Sequence, residues 1–96
     1  MTRQAEPGCA AVVPQVVASY AGYLHARTGA DPQVSVTGFR AEVSAAVRAR
    51  TLVLAFGCRG GGWSLDSAEI RDGETTTAFG RHELARAVAA LLGHAR

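Results

Sequence analysis

The chain has 96 residues and a formal net charge of +2, with 48% apolar and 19% charged residues. This length suits one domain with one hydrophobic core, and the composition argues against a disordered chain. A charge of +2 is too small to predict a nucleic-acid partner by itself, because such domains concentrate a stronger basic excess on one face. All ten basic residues are arginines, a bias that indicates a high-GC genome and is only weak support for a phosphate-binding role.

The N-terminal residues predict a tail ahead of a single domain. Residues 1–8 are polar and turn-forming, so we expect a flexible tail, and we assign residues 9–96 to one α+β domain. The sequence has neither a signal-peptide pattern nor an apolar stretch of membrane-spanning length. These features predict a cytoplasmic protein without a membrane partner.

The two cysteines, Cys9 and Cys58, predict neither a metal site nor a disulfide. Neither has a second cysteine or a histidine at a metal-ligand spacing. Because thiols stay reduced in the cytoplasm, we expect Cys58 to be a buried or half-buried thiol at the end of a strand. Cys9 is expected in a mobile stretch.

An amphipathic helix is predicted from about Val13 to Thr28. Apolar residues recur along it at spacings of three and four, Pro14 fits its first turn, and Gly29 is expected to cap its C-terminus. Tyr20 lies on the apolar stripe and is expected in the core. Tyr23 lies on another side, so we expect it to be exposed and to contact a partner.

Strand patterns begin after the first helix. In Gln33–Phe39 two valines alternate with polar residues, as in a half-buried strand. Ala41–Arg50 is compatible with two structures. As a strand it places Val43, Ala45, Val47 and Ala49 on one face. As a helix it would instead place Val43, Ala46, Val47 and Arg50 together. We favour the strand because the alternation is nearly complete and a strand follows.

The segment Thr51–Phe79 has the pattern of an antiparallel meander. Leu52–Phe56 is apolar on both faces, which is typical of a central strand. The glycine-rich Gly57–Gly62 invites comparison with a phosphate-binding loop, but a strand pattern led by Trp63 follows it instead of a helix, and the lysine of such loops is missing. We therefore interpret this segment as a hairpin connection.

The next two strands carry signals of local geometry. The apolar pattern of Trp63 and Leu65 resumes at Ala68 with a shift of one residue, which indicates a bulge or a twist that changes the buried face. Asp72–Gly73 predicts a two-residue type I′ turn, in which both central residues have positive φ. The threonine-rich Glu74–Phe79 then returns as a half-exposed edge strand.

The pattern of Arg81–Leu92 is that of a second helix, with Leu84, Val88 and Leu91 on one stripe and Gly93 at its end. The predicted fold is therefore α+β with the order α-β-β-β-β-α, a four-stranded antiparallel meander with two helices packed on one face. The other face is polar, curled on itself or available for association, so homodimerisation through it is one hypothesis.

The sequence predicts a binding module in preference to an enzyme. Its carboxylates fall on strand exteriors, turns and helix ends, and no serine or threonine has an activating motif. We expect no catalytic site, no cofactor and no metal. The preferred function is that of a small accessory module that binds an unidentified protein partner, with Tyr23 and Trp63 as contact residues.

Three segments carry a resemblance to a family. Ser19–Leu24, Thr51–Glu69 and Ala78–Gly80 resemble short actinobacterial proteins grouped as a domain of unknown function, over roughly residues 16–92. The resemblance implies a similar fold. It implies no catalytic residues, because no activity is established for that family.

The last helix also resembles that of double-stranded-RNA-binding domains, which place basic residues at its start against phosphates. Arg81, His82 and Arg86, followed by alanines, carry this likeness, although the adjacent lysine pair and the histidine-bearing loop of that motif are missing. The likeness implies an alternative function as a nucleic-acid-binding accessory protein. Its contact residues would be Arg40, Arg48, Arg50 and Arg59, which otherwise form a solvated strand face, together with Arg81 at the start of the last helix.

Overall fold

The structure is a computed structural model, and it describes residues 13–93. Its elements in chain order are α1 (Gln15–Thr28), β1 (Gln33–Thr37), β2 (Arg40–Val47), β3 (Arg50–Arg59), β4 (Gly62–Asp72), β5 (Thr75–Phe79), a 3₁₀ turn (Arg81–Glu83) and α2 (Leu84–Leu91). The predictions for the tail at residues 1–8, for Cys9 and for the domain boundary at residue 9 lie outside the described residues.

The α+β class is confirmed, but the sheet has five strands instead of four. The strands form one antiparallel meander in the order β1-β2-β3-β4-β5. The predicted total was one too low, because Gln33–Phe39 and Ala41–Arg50, which both have strand patterns, supply two separate strands of the sheet, β1 and β2. The ambiguous segment Ala41–Arg50 is a strand up to Val47, with Val43 and Ala45 buried on one face, and its last three residues form the turn and the start of β3.

Both helices pack on the same face of the sheet, which we call the inner face. Alternate residues of the strands point to this face and form one apolar cluster with residues of α1 and α2. Tyr20 of α1 lies edge-on to Phe56 of β3, with ring centroids 5.1 Å apart. The largest fully buried side chains of the cluster are Phe56, Leu24, Leu52, Leu54, Leu91, Val17 and Val43.

The opposite face of the sheet, the outer face, carries mostly small and polar side chains. The register brings Glu42, Ala55 and Ser67 side by side across β2, β3 and β4. In the next row Val53 is 7% exposed, because the flanking strands enclose it. Within residues 13–93, no helix packs on this face.

The helix ends follow the predicted caps. α1 begins near its predicted start, with Pro14 at the N-cap in an extended conformation, and Gly29 adopts the left-handed conformation (φ 77°) at its C-terminus. The second predicted helix begins as a 3₁₀ turn and becomes α-helical at Leu84. Val88 and Leu91 are buried, as the predicted stripe requires.

Two hairpin turns test the turn predictions. Gly60 and Gly61 both have positive φ (61° and 84°) in the two-residue turn between β3 and β4, so this segment is a hairpin as predicted. The Asp72–Gly73 prediction was wrong by one residue. Asp72 pairs with Thr75, so Gly73 and Glu74 are the central residues, and of these only Gly73 has positive φ. A type I′ turn would require positive φ at Glu74, which its β-carbon disfavours.

Cys58 is half-buried at the end of β3 and is disulfide-bonded, so the prediction of a thiol was wrong. That prediction inferred the redox state of the sulfur from an assumed compartment. Cys9 is the only other cysteine of the sequence. Among the described helices, none is both long enough and apolar enough to cross a membrane.

Candidate functional site: an arginine cluster at one end of the sheet

The strand register separates the predicted arginines into two groups. Arg40 pairs with Gly57, and Arg59 lies two residues beyond Gly57 on β3. Arg48 and Arg50 lie at the β2–β3 turn, at the opposite end of the same strands. β3 runs from Arg50 to Arg59, a span of about 30 Å for an extended strand of this length. The structure therefore does not bring the predicted nucleic-acid-binding residues into one patch.

We call the Gly57 end of the sheet the arginine end and define it by Phe39, Arg40, Arg59, Asp66 and Arg81. Arg59 holds Asp66 with both prongs of its guanidinium, at 3.0 Å from Nη1 to Oδ1 and 3.3 Å from Nη2 to Oδ2. Arg40 and Arg81 lie close enough to the same carboxylate to favour its charged form. Arg59 thus contacts this carboxylate, Arg40 lines the same cavity as the carboxylate, and the charge of Arg81 acts on it from nearby, which leaves an excess of positive charge at this end.

The ion pair alters the titration of both partners. The hydrogen bond from Arg59 lowers the pKa of Asp66 below its usual value, the charges of Arg59, Arg40 and Arg81 lower it further, and burial opposes them. The same hydrogen bond raises the pKa of Arg59. Both side chains are therefore charged at neutral pH. Because the Arg59 side chain is 69% exposed, a carboxylate from outside can reach the guanidinium.

A β-bulge places Asp66 beside Arg59. The β3–β4 register shifts between Ala55 and Phe56, and Asp66 is the extra residue on β4. This confirms the bulge that the shift of apolar pattern predicted. Asp66 thereby joins the outer face while Leu65 stays buried on the inner face.

Gly57 provides the space for the ion pair. A β-carbon added to Gly57 would lie 2.8 Å from Oδ2 of Asp66 and 3.1 Å from Nη1 of Arg59. The first distance is shorter than a β-carbon tolerates, so any larger residue would displace the carboxylate. The glycine therefore allows the pair to lie against the strand backbone.

Phe39 is the most exposed large apolar side chain of the described residues, at 66%. The backbone N–H of Cys58 donates a hydrogen bond to the carbonyl oxygen of Phe39 at 2.9 Å, which ties the β1–β2 turn to β3. Together with Arg40, Arg59 and other residues, Phe39 lines a cavity of about 190 Å³. An exposed aromatic ring beside arginines is the composition typical of binding hot spots.

The two predicted partner-contacting residues are both half-buried. Tyr23 packs against the core cluster, and the guanidinium carbon of Arg27 lies 5.1 Å from the centre of its ring. Trp63 also packs against the core, and with Arg81 and His82 it lines a cavity of about 320 Å³. The buried Nε1 of Trp63 has no hydrogen-bond partner in the described part of the chain. Trp63 therefore adjoins the arginine end through Arg81.

The surroundings of Arg48 and Arg50 indicate that both residues have structural positions in the fold. Arg50 donates from Nη1 to the carbonyl oxygen of Ala90 at 2.9 Å and from Nε to Oδ2 of Asp72 at 3.3 Å. It thus attaches the C-terminal end of α2 to the sheet, where the helix dipole favours a cation. Arg48 has φ 57°, the one positive φ among the non-glycine residues from 13 to 93. Arg48 is therefore a strained turn residue.

Comparisons with known proteins supply no relative. No family model, no curated protein and no solved structure matches the chain. Over the described range 13–93, no group of three or more histidine, cysteine, aspartate or glutamate side chains is arranged to hold a metal ion.

Phe39 and Asp66 belong to the arginine end and Gly57 makes room for its ion pair, but all three were missing from the predicted contact residues. The sequence could have indicated the role of Gly57, because a glycine next to an apolar strand run often marks a place where another group approaches the backbone closely. Asp66 lies at the predicted bulge, and bulges often redirect a side chain. Phe39 follows a turn glycine, where a large apolar residue has no strand face to occupy.

Proposed function

We propose that this protein is a non-enzymatic binding module whose arginine end receives an acidic segment of a protein partner. The observation that carries the proposal is the cavity in which Arg40 and Arg59 lie beside Asp66 and the exposed ring of Phe39. Arginine forks pair with carboxylates through two parallel hydrogen bonds, and an exposed ring gives an apolar anchor. A segment with acidic residues next to an apolar side chain fits both features.

Nucleic acid is the second candidate, because arginines can also contact phosphates and Phe39 offers a face for stacking a base. We rank it lower because binding along a phosphate backbone requires a continuous basic surface, whereas Arg48 and Arg50 lie about 30 Å from Arg59.

Association of two copies through the outer face is also ranked lower. The exposed large apolar side chains of the described residues are Val13, Val16, Val34 and Phe39, and none of them lies on that face. Stable homodimer interfaces usually have an apolar centre. The outer face is therefore a weaker choice than the arginine end.

The disulfide bond of Cys58, at the same end of the sheet, bears on the compartment in which the protein acts. The sequence predicts the cytoplasm, but Cys58 is disulfide-bonded. Disulfides persist mainly in oxidising compartments. We therefore favour an oxidising compartment over the cytoplasm.

Fluorescence anisotropy with three labelled probes tests the proposal. The probes are a short acidic peptide containing one phenylalanine, a short single strand of DNA, and an RNA duplex. The double variant Arg40→Glu/Arg59→Glu removes the proposed contacts. The control Arg48→Glu/Arg71→Glu makes the same change in net charge at the other end of the sheet.

We expect the wild type to bind the acidic peptide, and the Arg40→Glu/Arg59→Glu variant to bind it at least about tenfold more weakly, since charge-assisted pairs are lost. The control variant should change the affinity far less. Equal weakening by both variants, or no binding of the peptide, contradicts the proposal. Stronger binding of either nucleic acid at physiological salt, lost in the Arg40→Glu/Arg59→Glu variant, would favour the second candidate.

A further inference from the structure

The edge of the sheet formed by β5 lacks the usual protection against pairing. Thr75–Ala78 are exposed. An edge strand offers backbone groups that can pair with another strand, and proteins commonly block such edges with charges, prolines or bulges. β5 contains no charged residue, no proline and no shift of register. At the opposite edge, Pro32 directly precedes β1 and has no N–H to donate.

The charges that flank β5 have opposite signs at its two ends. Glu74 directly precedes the strand and Arg81 follows it, whereas Asp72 and Glu83, the acids farther out, are each paired with an arginine of the same chain. When two such strands pair antiparallel, the acidic end of each lies beside the basic end of the other. The strand is therefore electrostatically complementary to a second copy of itself.

One register uses all five residues of β5. With Thr77 opposite Thr77 of a second copy, Glu74 lies opposite Gly80 and next to Arg81 of that copy. A register centred on Thr76 would instead place Phe79 opposite Gly73 of the β4–β5 turn, so Phe79 would have no partner on β5 of the second copy. The length of β5 thus selects the register centred on Thr77.

A cavity next to β5 would be covered by such pairing. It has a volume of about 260 Å³ and lies between β5 and α2, with Ile70, Thr75, Phe79 and Ala90 among its lining residues. In the register centred on Thr77, Phe79 of the second copy lies opposite Thr75, at the side of this cavity. An aromatic side chain opposite threonine is a favourable cross-strand pair.

We propose that two copies of this chain pair antiparallel through β5 and join their sheets into one. The contact is isologous, with its two-fold axis at Thr77, and it adds one strand to each sheet in the manner of β-augmentation. Both inner faces lie on the same side of the joined sheet. Arg81 is the one residue of the arginine end that takes part in this contact.

The two-fold axis at Thr77 allows a charge-swap experiment. Thr77→Glu and Thr77→Lys each place two like charges opposite one another in the dimer, whereas a mixture of the two variants places opposite charges there. Light scattering after size exclusion gives the mass in solution. Thr37→Glu, the same substitution on the β1 edge, is the matched control, and circular dichroism verifies that each variant is folded.

We expect the wild type and Thr37→Glu to have twice the mass of the chain at micromolar concentration. Each Thr77 variant alone should have the mass of one chain, with the dimer dissociation constant raised at least about tenfold, and the mixture should regain twice the mass. A wild type with the mass of one chain overturns the proposal. So does a dimer that persists in folded Thr77→Glu, and if Ala55→Glu then dissociates it, the outer face is the contact.

Discussion

Arg59 and Asp66 form a bidentate ion pair that lies directly over Gly57, two residues before Arg59 on β3. The pair joins the last residue of β3 to the bulge of β4. Asp66 thus occupies the guanidinium fork that we propose for a carboxylate of the partner. In this arrangement the protein carries an internal competitor for its own binding site.

Replacing Asp66 with asparagine should strengthen binding at the arginine end. Asp66→Asn removes the competing carboxylate and raises the net charge by one. We therefore expect the affinity for the acidic peptide to rise by up to about fivefold, which corresponds to the free energy of one exposed ion pair. Anisotropy titration measures it. Asp72→Asn makes the same change in charge at the opposite end of the sheet. An equal gain in both variants would show that only net charge matters.

The stability that Asp66 adds should depend on pH in one direction. Its pKa in the folded state is lowered, so the unfolded chain, in which the pKa is about 3.9, takes up the proton first as the pH falls. The contribution is therefore present above about pH 4 and is lost as the pH falls through the folded-state pKa. Urea unfolding of the wild type and Asp66→Asn should show a difference in unfolding free energy that is constant from about pH 7 to about pH 5 and shrinks below about pH 4. A difference that grows with acidity contradicts this.

The Arg48→Gly substitution should stabilise the protein. Arg48 has φ 57°, a conformation that costs a residue with a β-carbon about 1–2 kcal/mol and costs glycine little. After the entropy of glycine in the unfolded chain is subtracted, we expect a gain of about 0.5–1 kcal/mol in the free energy of unfolding, measured with urea. Ala49→Gly, at the neighbouring position of the same turn, should destabilise. Loss of stability in Arg48→Gly would mean that the arginine side chain has contacts that outweigh the strain.

The Arg50→Met substitution should destabilise the attachment of α2. It removes the hydrogen bonds to Ala90 and Asp72 while keeping most of the apolar stem. We expect a loss of about 1–2 kcal/mol in the free energy of unfolding. Arg71→Met breaks the exposed pair with Glu69 and should cost less than about 1 kcal/mol. Equal losses in the two variants would contradict the anchoring role of Arg50.

Cys58 should be inaccessible to alkylation until the protein is reduced. Because the sulfur is disulfide-bonded, intact mass spectrometry of protein alkylated without reductant should show no label on Cys58, and the label should appear after reduction. Peptide mapping without reduction should identify its partner. Complete labelling of Cys58 in protein taken directly from its native host would support the cytoplasmic prediction instead.

The sheet could be predicted because its strands have local signals. The alternation around Val43 and the apolar run from Leu52 each indicate a strand without reference to the rest of the chain. The predicted total of four strands was wrong because the strand patterns of Gln33–Phe39 and Ala41–Arg50 correspond to two separate strands, β1 and β2. The predicted position of the β4–β5 turn was wrong by one residue, because such a shift changes the turn type while the hairpin itself is kept.

The arginine end could not be predicted from spacing along the chain. Arg48 and Arg50 are closer in sequence to Arg40 than Arg81 is, yet the meander places Arg81 near Asp66 and sends the other two to the opposite end. Which residues share an end of a sheet depends on the register of every hairpin between them. A sequence pattern contains that register only indirectly.

The most direct test of the arginine end is a titration of ¹⁵N-labelled protein with the acidic peptide, followed by amide chemical shifts. The account predicts that the largest changes occur at Phe39, Arg40 and Arg59, that the Arg48–Arg50 turn is unaffected, and that Arg40→Glu/Arg59→Glu abolishes the changes. Changes centred on the Arg48–Arg50 turn, or spread evenly over all exposed arginines, would contradict it.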